Sequence, residues 1–187
     1  MTLTDNELLI RYPQPGDERD LVAFHARNRD FFAPSGSIFP ATHLRSEWWS
    51  EFMLNNAEEM ERGIAVRFLV YYTVNGLVLI GKINYTQIFR GVFQACYLGY
   101  ALDESFCGRG LMTRALRMTN AFMFRDMNIH RIMANYLPEN EASGRVLERL
   151  GFVTEGTAKD YLRINGVWRD HVLTSLTNPD WEPSERG

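Results

Sequence analysis

Apolar residues recur along this chain in two rhythms, every second position and every third or fourth, and the places where one gives way to the other mark out the elements. LLIRYP near the N-terminus reads as a short strand. PGDERDLVAFHARNRDFF carries acidic residues early and apolar residues at helical spacing, which predicts a first helix. A turn-rich stretch, APSGSIFPAT from about Ala33 to Thr42, leads into HLRSEWWSEFMLNNAEEMERG, a second helix that stops at Gly63. Two β-branched and aromatic runs follow, VRFLVYYTV and LVLIGKINYTQI, joined by Asn75-Gly76, a dipeptide suited to the tight turn of an antiparallel hairpin.

The second half continues in the same way. After the break at RGVFQ, ACYLGYAL is an apolar strand running into DESFCGRG, and LMTRALRMTNAFMFRDM is a long helix that starts there. HRIMANYL is another strand, and ENEASGRVLERLG is a short helix with Gly151 as its stop. The tail VTEGTAKDYLRINGVWRDHVLTSL predicts two strands around Asn165-Gly166. A long helix between ACYLGYAL and HRIMANYL makes them a parallel pair joined by a right-handed crossover. The order is mixed α/β, antiparallel for the most part.

Composition narrows the classes. No repeat, low-complexity run or Pro/Gly/Ser linker interrupts the 187 residues, so the expectation is a single domain spanning 1–187. A net charge of −3 argues against a generic nucleic-acid binder, whose affinity rests on clustered Lys and Arg. MTLTDNELLIRYP turns polar too early for a signal peptide, and no run approaches the roughly 20 apolar residues of a membrane span. Cys96 and Cys107 fit neither a zinc spacing nor a disulfide scaffold, and the expectation is a cytoplasmic protein in a reducing compartment.

The chemistry concentrates between Tyr97 and Met112. CGRGLM sets two glycines where a strand hands over to a helix. Such a corner exposes backbone N–H groups at the positive end of a helix dipole, a cradle for phosphate or pyrophosphate. Taken alone it fits a tight turn equally well, and it matches neither GxGxxG nor GxxxxGK[ST], which disfavours the dinucleotide fold and the P-loop. Downstream, Asn140 and Ser143 open the short helix in NEASGRVLERLGF; as isolated residues they read as an N-cap and a first-turn polar residue.

YLGYAL, CGRGLM and PENEASGRVLERLGF together resemble the GCN5-related N-acetyltransferase superfamily. With HRIMANYLPEN, EGTAKDYL and NGVWRDHVLTSLTNPDW added, the chain is most similar to the branch that modifies the N-terminal alanine of ribosomal proteins. The match is strongest over the C-terminal half. The resemblance implies a mixed, mostly antiparallel sheet of about seven strands flanked by four helices, with a wedge between the two parallel strands that admits acetyl-CoA. It implies that Leu98, Gly99 and Tyr100 pair with the pantetheine arm and that the Leu98 N–H polarises the thioester carbonyl. The amides of Cys107, Gly108, Arg109, Gly110, Leu111 and Met112 would cradle the pyrophosphate, although Cys107 stands where the family usually has Gln or Arg and Met112 where it has Gly or Ala. Asn140 would hydrogen-bond the pantetheine and Ser143 would protonate the departing thiolate. No metal is implied.

The base for the attacking amine is not given by the resemblance. A family glutamate aligns near Leu162, which cannot act, and Asp160 is the nearest ionisable neighbour, with Glu104 and His171 as others; His130 reads as structural. Trp168, Arg169, Asp170 and His171 form a polar-aromatic cluster in which strand alternation turns Trp168 and Asp170 one way and Arg169 and His171 the other; one face is either a wall of a peptide groove or ordinary packing with an Arg–Asp pair. Trp48 and Trp49 are adjacent on a helix and cannot both be core, so one is a candidate wall of the acceptor cleft beside PSGSIFP. The reading implied is acetyl transfer from acetyl-CoA to the N-terminal alanine of a ribosomal protein of the small-subunit S5 type, free or in a ribosomal particle. Acetylation of a small amine such as a polyamine or aminoglycoside is the alternative within the same chemistry, and a noncatalytic CoA-binding or ribosome-assembly module the alternative outside it.

Overall fold

A computed structural model describes residues 1–35 and 41–183. Its strands are β1 (Thr2–Thr4), β2 (Leu8–Arg11), β3 (Val66–Tyr72), β4 (Val78–Phe89), β5 (Ala95–Leu102), β6 (Arg131–Tyr136), β7 (Val153–Ile164) and β8 (Val167–Thr177). Its helices are α1 (Glu18–Arg27), α2 (Arg29–Phe32), α3 (Ser46–Glu61), α4 (Leu111–Arg125) and α5 (Glu141–Arg149). The strands hydrogen-bond in the order β1, β2, β3, β4, β5, β6, β8, β7, a mixed and mostly antiparallel sheet. Two compact units are distinguished, Met1–Asn84 with Tyr100–Leu111, and Tyr85–Gly99 with Met112–Gly187.

This is the expected class, with one strand and one helix beyond the pattern. β1 is too short to show a period; the Asp5 carboxylate makes its turn by accepting from the Glu7 and Leu8 amides at 2.9 and 2.8 Å. The first helix, expected to run unbroken to Phe32, divides at Asn28, whose φ of −106° and ψ of 10° leave the helical region. The side chain of Asn28 is the reason. Its amide donates to the Phe24 carbonyl at 2.9 Å and to Asp103 at 3.0 Å, while its oxygen accepts from the Glu104 amide at 2.9 Å. A side chain committed to tertiary partners in this way competes with helix continuation.

In the first unit, Leu21, Phe24, Phe32, Trp49, Met53, Leu69, Tyr71 and Leu79 form one core between α1, α3 and the strands. Its polar floor is Asp17, which receives both guanidinium nitrogens of Arg11 at 2.6 and 2.7 Å and the Tyr71 hydroxyl at 3.0 Å. In the second unit, α4 is bound to the sheet through Tyr85, whose hydroxyl meets Thr119 at 2.8 Å and Asn120 at 2.6 Å. Both Asn-Gly turns adopt the expected positive φ, 63° and 132° at Asn75-Gly76 and 51° and 84° at Asn165-Gly166. The loop expected from Ala33 to Thr42 contains short 3-10 turns at Ala33–Ser35 and Ala41–Leu44, and its middle, 36–40, lies outside the described residues.

Asp103 fixes the end of β5. It is 2% exposed, its amide donates to the Ile80 carbonyl at 2.8 Å, and its carboxylate accepts from Arg27, from Asn28 and from the Ser105 amide at 3.0 Å. Burial by itself would raise the pKa of this carboxyl; the hydrogen bonds from Asn28 and Arg27 outweigh it and hold the group below the usual carboxylate range. Replacing Asp103 with Asn removes the charge and costs about 1.5–3 kcal/mol, seen as a melting temperature lower by about 4–10 °C at pH 7. A depressed folded pKa contributes stability above the unfolded value of about 3.9 and loses it as pH falls through the folded value, so the gap to wild type closes only below about pH 4.

Candidate active site

Two local features decide what this sheet can do. The first is the interruption of the β5/β6 ladder. It pairs Ala95 with Arg131, Cys96 with Ile132 and Tyr97 with Met133, in parallel, and then ends, although β6 runs on to Tyr136 and stays paired with β8 through that residue. The Arg131 amide donates to the Gln94 carbonyl at 3.0 Å, so the alternation of a parallel ladder turns the backbone of Gln94, Cys96 and Leu98 toward β6. Leu98 therefore has its backbone turned toward β6 at the point where pairing stops. Gly99 follows with exposed backbone, and open space lies where its side chain would be.

The second feature is the corner after β5. A 3-10 turn, Glu104–Phe106, is capped by Asp103 and followed by Cys107, Gly108, Arg109 and Gly110 before α4 begins at Leu111. Gly108 and Gly110 sit at φ +74° and +73°, the left-handed region that only glycine adopts at little cost. Both are exposed, while the side chains of Leu111 and Met112 are buried, so the start of α4 offers backbone N–H groups. Arg109 is occupied beside the corner: its guanidinium donates to the Tyr72 hydroxyl at 2.7 Å and lies over the rings of Tyr72 and Phe106. The Cys107 thiol is pushed above its ordinary range by partial burial and by the charges of Asp103 and Glu104, and it donates to the Asp103 carbonyl at 3.5 Å. It is not a thiolate at neutral pH.

In the second unit, Asn140 caps α5, its side-chain oxygen accepting from the Ser143 amide at 3.1 Å. The cap uses the oxygen and leaves the Nδ2 donors for another partner. Ser143 is partly buried in the first turn of the helix, and Gly144 beside it is closely packed: a Cβ there would stand 2.9 Å from the Tyr136 hydroxyl, which would have to shift. Tyr136, Glu141, Gly144 and Arg145 are among the residues lining a cavity of about 540 Å³ between α5 and strands β6 to β8. Among the described residues no group of three or more His, Cys, Asp and Glu side chains is placed to hold a metal ion, and no helix is long and apolar enough to cross a membrane.

The remaining expectations fare differently. Asp160 is exposed, at φ +46° in a bulge of β7 between Ala158 and Leu162, and its amide donates to Asp170 at 3.0 Å. The Arg169–Asp170 pair does not form. Alternation sends the two to opposite faces, where Arg169 pairs with Glu139 and Asp170 with Lys159. Trp168 is exposed, His171 is buried, and His130 packs against Trp181 at a ring separation of 5.7 Å. Trp49 is core and Trp48 only partly buried, as adjacent helical positions require. Beside them lies a pair that the sequence did not advertise, Lys82 Nζ at 2.8 Å from His25 Nε2. Burial lowers the Lys82 ammonium to about 7; burial, Lys82 and His43 together lower His25 to about 2.

An interrupted parallel ladder, a glycine corner opening a helix and an Asn-capped helix are the parts expected of one family. Residues 7–153 match the acetyltransferase (GNAT) domain model. The chain belongs to the GNAT acetyltransferase family. It is 41% identical over 181 residues to the ribosomal protein uS5-alanine N-acetyltransferase of Escherichia coli (strain K12), covering 97% of this chain and 93% of that one. The crystal structure of ribosomal-protein-S5-alanine acetyltransferase from Vibrio fischeri superimposes with a TM-score of 0.93 at 38% identity, covering 98% and 100% of the two chains. That of Mycobacterium smegmatis RimJ in complex with CoA-disulfide does so at 0.84 and 26%, covering 95% and 85%.

Two kinds of glycine in this GNAT chain separate experimentally. Gly110→Ala forces an L-residue into the left-handed region at a cost of about 1–2 kcal/mol, lowering the melting temperature by about 3–6 °C. Gly99→Ala meets open space in an extended strand and leaves the melting temperature unchanged or slightly raised.

Proposed function

We propose that the chain acts as a single, cytoplasmic N-acetyltransferase domain that moves the acetyl group of acetyl-CoA onto the N-terminal alanine of a ribosomal protein, in one ternary complex. The observation that carries this reading is the end of the β5/β6 ladder at Tyr97, within a chain similar over nearly its whole length to a ribosomal protein uS5-alanine N-acetyltransferase. Peptide groups in the middle of a sheet need partners. A pantetheine arm carries amides that supply them as an added strand would, to Leu98, Gly99 and Tyr100. The donor set fits the rest of the molecule: the backbone amides from Cys107 to Met112 suit a pyrophosphate, and the Nδ2 group of Asn140 suits a pantetheine carbonyl.

The chemistry follows from those positions. The amine nitrogen attacks the thioester carbon, whose oxygen is polarised by the Leu98 N–H, a kind of donor worth roughly 100- to 1,000-fold in rate. As the C–S bond breaks, Ser143 Oγ donates to the sulfur. An α-amino group has a pKa of about 7.7–8.0, so neutral amine is present at pH 7 without a strong base, and its surplus proton leaves through water, with Asp160 the carboxylate at hand in the β7 bulge.

Thiol release from acetyl-CoA measures this directly. Peptides beginning with Ala are turned over, a polyamine is not, and Ser143→Ala slows the reaction at least ten-fold. Turnover on the polyamine alone would move the assignment to small-amine transfer. Tight cofactor binding with no acceptor turned over, intact ribosomal protein included, would make the chain a binding module.

A further inference from the structure

Among the described residues of the second unit, α4 and α5 pack on one face of the strands. Tyr85, bound to Thr119 and Asn120 of α4, and Tyr136, against Gly144 of α5, mark that face. Tyr136 is paired with Val172, and Asn135 with Leu173, so strict alternation places Asn135, Leu173 and His171 on the opposite face, with Met133 and its partner Tyr97. Ser143 stands on the helix side of the β5/β6 opening, and the opposite face is where a second substrate can approach it.

That face has a built polar centre at the opening. The β7 bulge puts four steps of β7 against two of β8, since Ala158 pairs with His171 and Leu162 with Arg169. The left-handed residue in it, Asp160, turns its own carboxylate to solvent and brings Tyr161 inward. Tyr161 Oη accepts from Asn135 Nδ2 at 3.1 Å and is hydrogen-bonded to the hydroxyl of Tyr97, the last paired residue of β5. Its ring lies 5.6 Å from the ring of His171, which is 4% exposed and held by its Nδ1–H donating to the Arg169 carbonyl at 3.1 Å. Burial and the Tyr97 hydrogen bond keep the Tyr161 phenol above its ordinary pKa, hence neutral. A neutral phenol oxygen has two lone pairs, and Asn135 takes one.

We infer that Tyr161 Oη is the catalytic acceptor-amine ligand of this enzyme: its second lone pair accepts one N–H of the neutral amine and so aims the nitrogen lone pair at the thioester carbon. The inference rests on the acetyl-transfer reading and names the group that orients the nucleophile. In the reaction the N–C bond forms and the C–S bond breaks. One amine proton passes to water, the sulfur takes one from Ser143, which recovers it from water, and Tyr161 keeps its own. Asn135 and Tyr97 are positioning residues, acting through Tyr161. Leu162, at the place of the family glutamate, has no part in it; the residue before it fills the need by orientation instead of proton abstraction.

Steady-state kinetics with an Ala-initiated peptide test this. Tyr161→Phe keeps the ring and removes the oxygen; kcat/KM for the peptide falls about ten- to a hundred-fold, while KM for acetyl-CoA stays within about two-fold and the midpoint of the pH–rate profile does not move. Unchanged peptide kinetics in a folded Tyr161→Phe protein would overturn the inference, and so would a displaced pH midpoint, which would make Tyr161 a titrating base. Should Tyr161→Phe not fold, Tyr97→Phe asks the same question: a loss of about three- to ten-fold supports the assignment, and none defeats it. A wild-type protein that acetylates no amine would defeat the acetyl-transfer reading itself, and the inference with it.

Discussion

Everything the sheet can do as a catalyst depends on a ladder that stops after three pairs. A parallel β5 and β6 in full register would be an ordinary buried sheet with every peptide group satisfied. Ending the register at Tyr97 and Met133 leaves Leu98 turned toward β6 with no further pair, while β8 holds β6 straight through to Tyr136. The opening is therefore an edge inside a sheet, where an extended, amide-bearing ligand can pair as a strand and still present its reactive end to both faces.

Other departures from regular structure have equally local causes. Asp103 ties the far end of β5 to Arg27 and Asn28 of the first helical segment, so the strand ends where the glycine corner must begin. At the corner, two left-handed glycines precede the first turn of α4, where Leu111 and Met112 are committed to the core. On the helix face, Gly144 lets Tyr136 lie against the turn that carries Ser143. On the other, the β7 bulge exchanges one strand residue's regular position for an inward Tyr161. Each is a local departure from regular structure with a defined site consequence.

Much of this was legible in the sequence because it is written in local chemistry. Asn-Gly pairs specify their turns, CGRG specifies a corner, and Asn140 three residues before Ser143 specifies a cap, all within a few residues of themselves. What escaped reading is tertiary. Nothing near Asn28 says that its side chain will serve Asp103, 75 residues away, and so break the first helix. Alternation separates Arg169 from Asp170, but nothing local names the partners they take, Glu139 and Lys159. The bulge that selects Tyr161 over Asp160 carries no glycine at its turning point, so alternation counted along β7 gives the wrong residue the inward position.

The proposed chemistry is direct transfer to a terminal nitrogen. The measurement that bears on it most directly is the location of an isotopically labelled acetyl group by tandem mass spectrometry, after incubation of the protein with labelled acetyl-CoA and an alanine-initiated small-subunit ribosomal protein. The label is predicted on the α-nitrogen of the first alanine. Label confined to lysine side chains, or retained on coenzyme A, would contradict it.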